Sequence, residues 1–372
     1  MSDQFKKVAR FFKLYGLRRT LVKIFGRTRA LFDIRLLFPL AIFKTSDERV
    51  ALIGAGQFGL TTISYFLLKN YGLSIEKVAD ISEKRLSLAS SFHSRAKRFL
   101  INDDFCIESF LDDIDMVFIA SNHHSHSYYA VAALKKGLKV HVEKPICVNL
   151  KQFNDIFRVA EHSQDHFFCG YNRPFSPPLK VWKENSNSSS PVSYSATIFG
   201  HQLPEDHWYH DEKEGTRICG NLGHWLDLFI HIIAMRHDIF GNYSADVTYS
   251  NDQDFDENIS IALTNDFGDI CSISLSARTE PFDGILEFIN IQDDASILAI
   301  NDFRAFQYWK DTSYKSTKLY FKDVGHSQAI SQAFTGNARC IQELKVSTFI
   351  MLKLAEMVRN RTKTQNFKVE NL

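Results

Sequence analysis

Arg49-Val50-Ala51-Leu52-Ile53-Gly54-Ala55-Gly56-Gln57-Phe58-Gly59 is the stretch that decides the fold. Its first five residues form a short, β-branched apolar run suited to a strand buried on both faces of a parallel sheet, and the glycines follow at once. A helix is read next, over 60–69. In such a turn Gly54 permits the tight bend, Gly56 lets the backbone approach a pyrophosphate, and Gly59 lets helix pack on strand. The phosphates then sit at the positive end of the helix, with Gln57 and Phe58 completing the loop. A second strand, Lys77-Val78-Ala79-Asp80, ends in a carboxylate 21 residues after Gly59, where a ribose 2′-hydroxyl needs an acceptor. Asp80 therefore favours NAD over NADP, although Ser82, Lys84 and Arg85 just beyond it could meet a phosphate.

The alternation continues outward from that turn. Helices are read over 82–95 and 127–136, the second stopped by Gly137, and strands over 115–120 and 139–142. This is the pattern of an α/β doubly wound parallel sheet, whose ligands bind beyond the carboxyl ends of the strands. Four segments fall on that edge: the glycine loop, Asp80, the run Ser121-Asn122-His123-His124-Ser125-His126, and Glu143-Lys144-Pro145. After a helix over 149–164, strands are read over 192–199, 247–250, 258–263, 270–277, 285–291 and 318–321, several with period-two alternation. They predict an α+β domain with a largely antiparallel open sheet, covered by helices over 222–235 and 342–359, the latter expected to cross back to the first domain. The expected organisation is an extension (1–46), a Rossmann domain (47–165), a substrate and oligomerisation domain (166–340), and a returning C-terminal helix with its tail (341–372).

At 372 residues and 45% hydrophobic side chains, the chain can bury two cores. Its six cysteines show no CxxC spacing, which argues against a zinc site or disulfide framework and for a reducing, cytoplasmic compartment. His201, His207, His210 and Asp211 cluster in sequence, but none of them shows the helical spacing of a zinc protease, so no metal is expected. No apolar run approaches the roughly 20 residues that span a bilayer. A charge asymmetry is hidden in the near-neutral total. Residues 1–46 hold eleven Lys and Arg against two Asp, a net of +9, so the remainder carries −8 of the overall +1. Within this basic head Phe5, Val8, Phe12 and Tyr15 recur at helical spacing, and Leu17, Leu21, Ile24 and Phe25 continue after Gly16. Two readings stand: peripheral contact with anionic lipid or a partner, or packing on the body or another subunit with the cations facing its acidic surface. Nucleic acid is disfavoured because one basic segment without base-stacking modules is a poor signature. A secretory signal is disfavoured because charges are spread throughout the head and no uninterrupted apolar core precedes a small-residue cleavage site.

The glycine loop, Asp80, Ser121 to His126 with Ala130, and Glu143-Lys144-Pro145 together resemble the glucose-fructose oxidoreductase / inositol dehydrogenase / MocA (Gfo/Idh/MocA) family of NAD(P)-dependent sugar oxidoreductases. Further segments are similar to that family: Gly170-Tyr171-Asn172-Arg173-Pro174-Phe175-Ser176-Pro177, His207-Trp208, Gly215-Thr216-Arg217-Ile218, and Gly220-Asn221-Leu222-Gly223-His224-Trp225-Leu226-Asp227. The resemblance covers residues 48–360 and leaves the basic head outside.

It implies that Ser121, Asn122, His123, His126 and Glu143 attend the cofactor. It also implies that Lys144 and His224 face a sugar from opposite domains, that Pro145 is cis, and that the protein is a homo-oligomer. Tyr171, Asn172 and Arg173 are candidates for hydroxyl and anion contacts, with a plain domain-joining strand as the competing reading. His207 and Trp208 are candidates to stack on a sugar face. Arg217, Asn221 and Asp227 complete the substrate side, where Arg173 or Arg217 could grip a nucleotide-sugar diphosphate in a bidentate way.

The sequence also departs from the family pattern. Ser121-Asn122-His123 replaces the usual Thr-Pro-Asn. Gly220 stands where many members have aspartate, and Asn221 where one branch has glutamate. Oxidising a carbinol needs a C–H aimed at the nicotinamide and a group within about 3 Å to take the hydroxyl proton. Lys144 can take that proton or hold the developing alkoxide; His224 is the alternative base, or a satisfied histidine on an apolar helix. The expected activity is NAD-dependent oxidation or reduction of a sugar, cyclitol or nucleotide sugar, with surface-polysaccharide biosynthesis as its setting. A glycosidase using transient oxidation and a non-catalytic NAD-binding subunit are the alternatives.

Overall fold

The computed structural model describes residues 3–28, 33–38, 46–186, 189–250 and 256–370. Arg29 and Lys44 of the basic head lie outside the described residues. The chain divides into two units, each discontinuous in sequence. The first comprises Met1–Cys147, Lys151–Gly170 and His326–Ile341; the second comprises Val148–Leu150, Tyr171–Gly325 and Gln342–Leu372.

The first unit is built on six parallel strands: β1 (Val50–Ile53), β2 (Ile75–Asp80), β3 (Lys97–Leu100), β4 (Met116–Ile119), β5 (Lys139–Val142) and β6 (Phe167–Cys169). Their order is β3-β2-β1-β4-β5-β6, the doubly wound arrangement that reverses direction between β1 and β4. Every residue of β1 and β4 is buried, as expected of short apolar strands covered on both faces. Burying each large side chain contributes about 1.5–3 kcal/mol, so this central pair anchors the unit.

Two boundaries differ from expectation. Phe167–Cys169 is not the opening of the second domain but the sixth strand of this sheet, because its three residues are buried beside β5. The helix that returns to this unit is His326–Thr335, not the one over 342–359. Ile330 and Ala333 enter the same core as Val50, Leu52 and Phe168, and Gln332 donates its amide to the Cys169 carbonyl at 2.8 Å.

The basic head forms α1 (Asp3–Tyr15) and α2 (Leu17–Thr28), separated by Gly16 at φ 82°. α2 is part of the first unit's core: Val22 is fully buried, and a Cβ on Gly26 would lie 2.5 Å from the Thr61 methyl. Its cations meet aromatic faces. Arg19 lies over the rings of Tyr15 and Phe66, and Lys23 over Phe11 at 4.2 Å. Burial, with Arg27 and Arg19 close by, lowers Lys23 to about 8.

The second unit carries nine strands: β7 (Ser193–Phe199), β8 (Gly241–Tyr249), β9 (Asn258–Asn265), β10 (Ile270–Ser276), β11 (Leu286–Gln292), β12 (Ser296–Asn301), β13 (Ala305–Lys310), β14 (Ser313–Lys318) and β15 (Thr364–Val369). Their order is β14-β13-β12-β11-β7-β10-β9-β8-β15, antiparallel throughout except for β7 with β10. One face is buried and the other exposed, which gives β7 its strict alternation. The helix Gly223–Ala234 covers the buried face, its Phe229 ring 5.7 Å from Tyr194 of β7. The helix Ile341–Arg359 packs within this same unit: Ser347 donates its hydroxyl to Asp227 at 3.0 Å. The strand read over 318–321 is instead β14, ending at Lys318, and the expected tail supplies edge strand β15.

Candidate nucleotide and carbinol site

The glycine loop leaves β1 at the point where the sheet reverses. Gly54 has φ 97°, and a Cβ there would lie 2.3 Å from the Ala120 carbonyl oxygen, so the loops after β1 and β4 approach at backbone distance. A Cβ on Gly59 would lie 2.5 Å from the Gly54 carbonyl and 3.2 Å from Leu52, which is the close helix-on-strand packing expected of the third glycine. At Gly56 a Cβ would meet nothing within 4 Å. That open side is the feature a bound pyrophosphate requires, and the loop fits the group.

The helix after the loop is not α-helical at its start. Gly59–Ile63 forms a π-helical turn before the α-helix Ser64–Tyr71, with both the amide and hydroxyl of Ser64 donating to the Gly59 carbonyl. Gln57 is exposed, while Phe58 packs half-buried with its ring 5.7 Å from that of His326.

Asp80 ends β2 and is buried. One of its oxygens accepts from the Ala55 amide at 2.8 Å and the other from the Ser82 amide at 2.9 Å, with Arg85 at 3.8 Å. The carboxylate thus ties the glycine loop to β2 and keeps lone pairs for a further donor.

The loops after β4 and β5 are joined through His126. Its Nδ1 is 2.7 Å from the Pro145 carbonyl, and its Nε2 is 3.1 Å from that of Ser121. Burial lowers the His126 pKa despite these two acceptors. A neutral imidazole has one N–H to give, and the shorter contact has the stronger claim on it. Ser121 and Ser125 share a hydroxyl hydrogen bond at 2.7 Å, His123 is buried 5.9 Å from the His126 ring, and Asn122 is half-buried. The Lys144–Pro145 bond is cis and Lys144 is half-buried.

Glu143 is held from two sides. His141 Nε2 lies 3.3 Å from its carboxylate, and a Cβ on Gly170 would lie 2.5 Å from it. His141, its ring tilted against Phe118 at 4.9 Å, is not among the residues the sequence singles out. Its signal was a polar residue at a buried position of a strand, two before the glutamate. Gln152, which donates to the His124 carbonyl at 2.7 Å, left no such signal.

In the second unit His224 occupies the first turn of Gly223–Ala234, half-buried, its ring edge-on to Tyr171 at 5.8 Å. The π-helical turn Ile218–Leu222 precedes it and includes Gly220. Asn221 lies on that turn with its side-chain oxygen buried and no hydrogen-bond partner. Trp208 is exposed on a short 3-10 helix, with His207 stacked beside it at 5.8 Å. Burial lowers the His207 pKa, and His210 adds to the effect.

The remaining substrate candidates are engaged in holding the unit together. Arg173 is buried and forks onto Glu287 at 2.7 and 3.2 Å, under a Trp225 ring that also donates to Glu287. Its guanidinium is not available for a diphosphate. Arg217 is likewise fully buried: it donates to the His201 carbonyl and approaches Glu257 at 3.5 Å, which corrects its reading as an anion contact. The Tyr171 hydroxyl points at the Met351 sulfur, Asn172 donates to the Val324 carbonyl, and Asp227 accepts from Ser347. His201 pairs with Glu280, and no group of three metal-ligating side chains occurs among the described residues. Nor is any described helix long and apolar enough to cross a membrane.

Residues 48–171 match a family model described as the oxidoreductase family with NAD-binding Rossmann fold, GFO_IDH_MocA. Among curated proteins, the chain is 24% identical over 177 residues to 1-carboxy-3-chloro-3,4-dihydroxycyclohexa-1,5-diene dehydrogenase of Comamonas testosteroni, covering 47% of this chain and 42% of that one. It is 25% identical over 203 residues to glycosyl hydrolase family 109 protein 5 of Phocaeicola vulgatus, covering 50% and 38%. The matches therefore span less than half the length of these curated relatives. Among solved structures, an NAD binding oxidoreductase from Klebsiella pneumoniae superposes with a TM-score of 0.68 at 16% identity, over 88% of this chain and 100% of that one. Residues 48–171 thus carry a Rossmann fold similar to that of this NAD-binding oxidoreductase family, joined in sequence to a mixed, mainly antiparallel sheet domain.

Proposed function

We propose that the protein is an NAD-dependent oxidoreductase that transfers a hydride between the nicotinamide and a carbinol carbon of a sugar, cyclitol or nucleotide sugar. One observation supports this reading: the loops after β1, β4 and β5 converge at the carboxyl edge of the sheet, with the open side of Gly56 and the residue Lys144 on those loops. The nicotinamide supplies the two-electron acceptor when bound. Gly54, Gly56 and Gly59, with Asp80, would hold the nucleotide, and a carboxylate at Asp80 disfavours a 2′-phosphate. Ser121, Asn122 and His123, on the loop that His126 fastens to Pro145, would border the nicotinamide end. Lys144 takes the hydroxyl proton on its Nζ or steadies the alkoxide with its charge. Glu143, braced by His141, fixes the peptide that carries Lys144.

A second reading is favoured by the match to a glycosyl hydrolase family 109 protein, in which NAD would be reduced and reoxidised within one glycoside cleavage. A panel of sugars, cyclitols, nucleotide sugars and aryl glycosides separates the two. Net NADH absorbance supports the dehydrogenase; sugar release with no net NADH supports the second reading. In either case Lys144→Ala is expected to lower kcat by about 100- to 10,000-fold while leaving NAD affinity within about twofold. An unchanged kcat would sink the role given to Lys144. His224→Ala, measured in parallel, decides whether the imidazole of the second unit serves the same reaction.

A further inference from the structure

The basic head presents a face that the first unit does not cover. α2 is fastened to the core through Val22 and Gly26, and α1 is held beside it by the buried Leu14 and by Arg19 and Lys23 of α2 over the rings of Tyr15 and Phe11. On the other side of α1, Phe5 is 57% exposed, Val8 38% and Phe12 47%. Their spacing of three and four residues places them on one helical stripe. Lys6 and Lys13 are exposed seven residues apart, hence on one flank, about 100° round from that stripe. Leu17 opens α2 with 58% of its surface exposed, next to the exposed Arg18.

The charge around this stripe selects its occupant. Residues 3–28 carry eight Lys and Arg and a single acid, Asp3. Pairing α1 with the α1 of a second copy would bring two such cationic faces together, which opposes self-association through this helix, and the acidic body of a second copy would answer the amines but not the exposed phenylalanines. A polyanion without apolar depth would leave two phenylalanines in water. A surface that offers both anionic headgroups and an acyl boundary satisfies rings and amines together, with the helix lying in the interface plane.

We propose that α1 docks the protein on an anionic phospholipid bilayer, Phe5, Val8 and Phe12 entering the acyl boundary and Lys6 and Lys13 meeting the headgroups. The docking is independent of the redox reading above, and its test needs no substrate.

The test is flotation of the full chain with vesicles of phosphatidylglycerol or of phosphatidylcholine. Binding is expected to phosphatidylglycerol alone and to weaken as salt is raised. Two double variants, Phe5→Ser with Phe12→Ser and Lys6→Glu with Lys13→Glu, are each expected to weaken it by about tenfold or more. Both should keep the wild-type melting temperature, because the altered side chains are exposed; should one fail to fold, the other decides. Absence of binding, equal binding to phosphatidylcholine, or undiminished binding by a folded variant overturns the proposal. So does a concentration-dependent dimer that the phenylalanine variant abolishes, which would assign the face to a second copy.

Discussion

Three glycines within six residues perform three different tasks, and the space around each distinguishes them. Gly54 and Gly59 are closed in by backbone oxygens at 2.3 and 2.5 Å from a notional Cβ, whereas Gly56 faces open space. Gly59→Ala is therefore expected to destabilise the protein by about 1–3 kcal/mol, since the Gly54 carbonyl cannot retreat without moving β1. Gly56→Ala should change stability by no more than about 0.5 kcal/mol and yet weaken NAD binding by about tenfold, because its methyl occupies the pyrophosphate's approach. Melting curves and NADH fluorescence titrations of the two variants check the contrast. Equal NADH affinity in Gly56→Ala and the wild type would remove the pyrophosphate from that side of the loop. The motif was legible because each glycine answers a steric demand visible in its spacing. The role of Asp80 was less so: sequence placed a carboxylate at the end of β2, but not that one oxygen would fasten the glycine loop at Ala55 and the other the turn after β2 at Ser82.

At the scale of elements, the segment after β6 shows how a motif read as substrate-binding can be structural. Arg173 links a 3-10 turn to β11 through Glu287, and Trp225 of the helix Gly223–Ala234 donates to the same carboxylate. Both charged side chains are at least nine-tenths buried. Removing one partner strands the other, so Arg173→Met is expected to cost about 3–5 kcal/mol in urea unfolding, and Arg173→Met with Glu287→Leu to cost less than the single change. A wild-type urea midpoint for the single variant, with a raised KM, would return Arg173 to the substrate. Sequence could not show this, because the partner lies 114 residues away. Strands were legible where burial imposes a pattern: β1 and β4 as unbroken apolar runs, β7 as alternation. β3 and β14 show no such pattern: both are edge strands, the first beginning with two exposed cations and the second exposed at all but one position, while the interior β12 and β13 alternate and still went unread. The π-helical turns at Gly59–Ile63 and Ile218–Leu222 carry no periodicity distinct from that of an α-helix over five residues.

At the scale of the whole chain, the two-sheet plan was legible from the switch between alternating strand–helix and strand-after-strand patterns, but the division of the sequence between the units was not. The expected boundary at residue 165 fails because the first unit completes itself with two later pieces, Phe167–Cys169 and His326–Thr335. The returning helix brings Ile330 and Ala333 into the core, stacks Phe334 on Tyr71 at 4.0 Å, and hydrogen-bonds Asn70 through Ser327 and Ser331. Phe168 adds a further large buried side chain from β6. At about 1.5–3 kcal/mol for each fully buried large side chain, these contacts together approach the roughly 5–15 kcal/mol that holds a domain folded. A fragment ending at residue 165 would also leave β5 as an unpaired edge. Residues 1–165 alone are therefore expected to melt without cooperativity and to bind NADH poorly. Residues 1–170 joined through a Gly/Ser linker to residues 326–341 should recover a sharp transition and NADH binding. Calorimetry and fluorescence titration of the two fragments provide the measurement. A cooperative melt and full NADH affinity for the shorter fragment would show that the first five strands suffice, and that the helix from residue 326 is an accessory rather than part of the nucleotide-binding unit.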